Sequence, residues 1–142
     1  MPQFNLNWTR YNDFFDLWTN NKQTIPLLYV IGDTGLCYIG SIGGRGGKGG
    51  IEKRYQKQYL DRSQVIFGSR QPTAQPAFGA TITMPSSVSK TDILRVEQKL
   101  QYVFASNPTY APNACFRAPK TGNTYTLVNA GSLPSFLPAN VP

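Results

Sequence analysis

Apolar positions fall into short runs separated by glycine, proline and asparagine, which predicts a chain of brief strands and helices. Residues 11–18 place Tyr11, Phe15 and Trp18 at helical spacing and predict a short amphipathic helix. Residues 25–31 form an apolar run, Gly32, Asp33, Thr34 and Gly35 a turn, and residues 36–41 a second run. That order predicts an antiparallel hairpin. A glycine tract over residues 43–50 must be loop. A helix is expected over residues 51–60, with Ile51 and Tyr55 on one face and Arg54 and Gln58 on the neighbouring one. The connector over residues 69–76, rich in Pro, Gln and Ser, leads to a strand over residues 78–84, closed by Pro85.

A second helix is predicted over residues 92–105. Its stripe is Ile93, Val96, Leu100 and Val103, with N-cap candidates between Ser86 and Thr91 and a stop at Asn107-Pro108. Further on, only residues 125–128 suggest a strand, and the last ten residues look like an irregular tail. The expected fold is α+β, a small, mainly antiparallel three-stranded sheet flanked by helices. Residues 1–24 are expected to form an N-terminal helical extension, residues 25–114 the domain itself, and residues 115–142 a C-terminal extension.

Composition narrows the chemistry. At 142 residues the chain has the size of one domain. It contains no histidine, so Ser-His-Asp triads, Cys-His pairs and zinc-histidine sites are excluded. Any acid–base chemistry falls to Tyr, Lys, Arg, Asp or Glu. Cys37 and Cys115 form no CxxC motif and read as buried small hydrophobes. No apolar run is long enough to span a bilayer, and the N-terminus lacks a signal-peptide layout, so a cytoplasmic protein without a membrane partner is expected, exported only by a dedicated non-Sec system.

Fourteen Lys and Arg against seven Asp and Glu give a net charge of +7, which favours a polyanionic partner. Arg45, Lys48, Lys53, Arg54, Lys57, Arg62 and Arg70 lie in one stretch, opposed there only by Glu52 and Asp61. The glycine tract fails as a P-loop because Ile42 stands where the first glycine belongs and Gly49 follows Lys48. No nucleoside triphosphate is therefore expected. Arg45 and Lys48 are expected instead to touch nucleic-acid phosphates.

The hairpin carries Tyr29 in its first run and Tyr38-Ile39-Gly40-Ser41 in its second; Arg54, Glu97 and Asn113 follow in order. This ordered set, covering residues 25–113, resembles the GIY-YIG endonuclease family. Leu27 and Leu28 stand where that family has Gly-Ile, Gln58 where it often has His or Tyr, and the loop before Arg54 is longer than usual. The resemblance implies metal-dependent hydrolysis of DNA phosphodiester bonds, in a restriction, phage or toxin setting. It implies Tyr29, Tyr38, Arg54 and Glu97 as catalytic residues that converge on one site, with Tyr29 as general base and Tyr38 holding water or phosphate. Glu97 would bind one Mg²⁺ or Mn²⁺, and Arg45, Lys48, Lys53, Lys57, Gln58 and Asn113 would contact substrate.

The same roles make physical sense. A guanidinium suits phosphate oxygens, and one carboxylate can hold a hard cation that keeps waters and substrate phosphate as its other ligands. Two alternatives stay open: a non-catalytic nucleic-acid-binding module on the same scaffold, and a nuclease that cuts RNA.

Overall fold

A computed structural model of the chain describes residues 3–24, 26–43, 75–83 and 88–142. The first described strand, β1 (Gln3–Tyr11), alternates as far as Thr9, burying Phe4, Leu6 and Trp8 and exposing Asn5 and Asn7. Asp13 then caps α1 (Phe14–Asn20), its carboxylate accepting the Asp16 N–H at 2.8 Å. The expected hairpin follows as β2 (Leu27–Ile31) and β3 (Tyr38–Ile42), and β4 (Ala77–Thr83) comes next.

The second helix, α2 (Lys90–Ser106), starts in a capping box in which Ser89 and Asp92 each accept the other's backbone N–H. After a 3₁₀ turn (Ala111–Asn113) come β5 (Thr126–Gly131) and a two-residue β6 (Asn140–Val141).

These strands make one sheet in the order β3-β2-β4-β1-β5-β6, antiparallel throughout except for the parallel pair β1–β5. The α+β class holds, but the sheet is six-stranded and mixed, not three-stranded and antiparallel. The three expected strands are its β3-β2-β4 portion. Phe4, Leu6 and Trp8 alternate with polar neighbours at a strand's period of two, and that signal brings residues 3–11 into the sheet beside β4. Residues 1–24 therefore contribute a central strand as well as a helix, and the segment after residue 114 contributes β5 and β6. The tail is also less irregular than its composition suggests, with Phe136, Leu137 and Val141 buried.

Two apolar layers cover the sheet. On one face Phe4, Leu6, Leu28, Val30, Ile39 and Phe78 pack against Val96, Leu100 and Phe104 of α2. On the other, Leu27, Tyr29, Ile31 and Ile42 pack against Phe14 and Leu17 of α1. Among the described residues no helix is long and apolar enough to cross a membrane.

Candidate active site

Strand β3 ends the sheet order of the described residues, and an end strand must satisfy its outward backbone groups by other means. Three neighbours do so in succession. The Cys37 N–H donates to the Asn113 carbonyl at 2.9 Å, and the Cys37 carbonyl accepts the Cys115 N–H at 2.8 Å. The next outward carbonyl, that of Ile39, accepts Nε2 of Gln101 at 3.1 Å. Then Oγ of Ser41, a buried hydroxyl, donates to Oε1 of Glu97 at 3.0 Å.

Gln101 and Glu97 are one helical turn apart on α2, and Ile39 and Ser41 are two residues apart on β3. Four helical residues advance about 6 Å and two strand residues about 6.7 Å, so the repeats match and α2 runs alongside the strand.

The tyrosines occupy the opposite face. Gly40 and Gly79 lie in register on either side of Tyr29. A Cβ on Gly40 would fall 2.5 Å from the Tyr29 hydroxyl, so the missing side chain lets the ring lie across β3. Tyr38, paired with Ile31, stacks on Tyr29 with ring centroids 6.2 Å apart, and Phe14 meets Tyr29 edge-on at 5.9 Å. Tyr29 is 4% exposed, whereas Tyr38 is half-buried.

Of the residues expected at the site, the fold brings together Tyr29 with Tyr38, and Asn113 with the start of β3. It brings Glu97 to the same strand from the other side. Tyr38 and Ser41 differ by an odd number of positions, so strand alternation sends their side chains to opposite faces. The tyrosines and Glu97 thus approach β3, the end strand, from opposite faces of the sheet. Arg54, Arg45, Lys48, Lys53, Lys57 and Gln58, with the expected helix over residues 51–60, lie outside the described residues.

Burial pushes the Cys37 thiol well up, with Cys115 and Asp33 adding to the effect, and burial also raises Cys115. Neither serves as a ready thiolate nucleophile.

Among the described residues no group of three or more His, Cys, Asp or Glu could hold a metal. The donor set at Glu97, one carboxylate backed by a hydroxyl, is of a kind that a hard cation accepts beside waters and other oxygen ligands.

Ser41 and Gln101 are the contributors that sequence reading passed over. The available signals were a hydroxyl in an otherwise apolar strand and a glutamine one turn after Glu97. No family model, curated protein or solved structure matches the chain.

Proposed function

We propose that this chain is a metal-dependent endonuclease of the GIY-YIG type that hydrolyses DNA phosphodiester bonds. The observation that carries the reading is the furnishing of β3: Tyr38 on one side, Glu97 held through Ser41 on the other, and Asn113 docked at its start. The basic stretch from Arg45 to Arg70 supplies attraction for the phosphate backbone.

In this scheme Glu97 would hold a Mg²⁺ or Mn²⁺ ion, which would supply charge neutralisation on the phosphate and a more acidic water. Arg54 engages the non-bridging phosphate oxygens, and Lys53, Lys57 and Gln58 contact the strand around them. A tyrosine, in its phenolate form, would take the proton of the attacking water and become the neutral phenol. Burial divides the two tyrosines: Tyr38 is accessible at the sheet's edge, while Tyr29 is enclosed beneath Phe14. The proton acceptor is therefore assigned to Tyr38 and the supporting role to Tyr29, the reverse of the roles that the family resemblance implies.

The test is incubation with plasmid, single-stranded DNA and RNA, each with Mg²⁺ or EDTA. Plasmid should be nicked or linearised only with the metal. Glu97→Ala should abolish cutting yet keep DNA binding, because the basic stretch from Arg45 to Arg70 is untouched. Equal cutting in EDTA removes the metal role, and cutting confined to RNA reassigns the substrate.

The enclosure of Tyr29 and its separation from Glu97 by the sheet favour a second reading, a nucleic-acid-binding module without catalysis. Salt-sensitive DNA binding with no cleavage in any of these reactions would select it.

A further inference from the structure

Ser41 is 4% exposed on the sheet face covered by α2, where its neighbours along the strand and across it are apolar. A hydroxyl at such a place needs a partner, and it has one in Oε1 of Glu97 at 3.0 Å. The bond does more than satisfy the hydroxyl. A free glutamate has three side-chain torsions, and a partly exposed one samples many rotamers. Here the carboxylate is tied to a rigid strand, and Gln101, one turn along the helix, binds Ile39 and fixes how far α2 can slide along β3. Two anchors at matched spacing hold α2 against β3 and constrain the Glu97 carboxylate.

We propose that Ser41 is a positioning residue, whose hydroxyl orients the Glu97 carboxylate toward a hard divalent cation; this rests on the endonuclease reading above. Partners that orient a metal-binding group commonly govern affinity by on the order of 10- to 100-fold.

The experiment titrates Mn²⁺ into the full chain and follows the free ion by electron paramagnetic resonance. The proteins are wild type, Glu97→Ala, Ser41→Ala and Ser41→Thr, each with a thermal melt. Glu97→Ala should abolish the site. Ser41→Ala should weaken it on the order of 10-fold or more, with a melt close to wild type. Ser41→Thr, which keeps a hydroxyl, should bind within a few-fold of wild type.

If Glu97→Ala abolishes binding but Ser41→Ala binds like wild type, the positioning role is overturned and the metal role of Glu97 stands. If both Ser41 variants weaken binding equally and melt lower, Ser41 serves packing and the proposal fails. If Glu97→Ala binds Mn²⁺ like wild type, Glu97 is no metal ligand, and the metal reading falls together with the inference built on it.

Discussion

Replacing Gly40 by alanine would place a methyl group 2.5 Å from the Tyr29 hydroxyl. The ring cannot swing aside freely, because Phe14 closes it from above. Overpacking of this kind costs about 1–3 kcal/mol, so Gly40→Ala should lower the urea midpoint measurably. A midpoint equal to wild type would mean the ring has room that the packing denies it. The tyrosines make a second prediction. Tyr38→Phe should lose ~10²–10⁴-fold in single-turnover cleavage, as removal of a general base does, and Tyr29→Phe distinctly less. The opposite order would return the proton to Tyr29. Residue types were legible at this scale: Tyr38, Gly40 and Glu97 stand out in the chain, and without histidine few other candidates exist. Their facing was not, because which side of a strand meets a helix depends on pairing across the sheet.

At the scale of elements, α2 was the most legible, since its stripe, caps and stop agree over a long stretch. The residues Ile93, Val96 and Leu100 of that stripe are buried as expected. Strand β1 was missed although Phe4, Leu6 and Trp8 alternate cleanly, because its polar residues suggested a flank and its partners β4 and β5 lie far along the chain. The N-terminus of α2 carries a prediction about pH. Asp92 accepts the Ser89 N–H at 3.1 Å, and that bond holds its carboxyl below the usual carboxylate range, with the Ser89 and Tyr125 hydroxyls acting in the same direction. A carboxyl lowered on folding stabilises fully above its unfolded value of about 3.9, and the contribution fades as pH falls through the folded value. Asp92→Asn should therefore melt below wild type at pH 6, with the gap closing under about pH 4. A gap constant down to pH 2 would show that the ionised carboxylate contributes nothing. Ser89→Ala should cost about 1 kcal/mol at neutral pH, the usual loss for an N-cap.

For the molecule as a whole, charge is the property that reaches a partner first. If Arg45 and Lys48 each contact a phosphate, their joint replacement by alanine should shallow the log–log salt dependence of DNA binding by about 1.8, at about 0.9 per contact on duplex DNA. Turnover at saturating substrate should survive. An unchanged slope in a salt titration would make the glycine tract a spacer. Net charge was readable from composition alone, whereas the mixed sheet was not: its parallel pair joins segments with no local signal for each other.

That parallel pair also sets the order of events as the chain leaves the ribosome. Gln3 lies beside Thr126 and Phe4 beside Leu127, so β1 emerges while one of its two neighbours is still more than a hundred residues from being made. Until β5 arrives, β1 has a bare edge and the apolar row of Phe4, Leu6 and Trp8 lacks part of its cover. Contacts so distant in sequence slow the search for the native state, and a waiting strand edge is a ready template for pairing with another chain. The nascent protein is thus most prone to aggregate in the interval after β1 emerges and before β5 clears the exit tunnel.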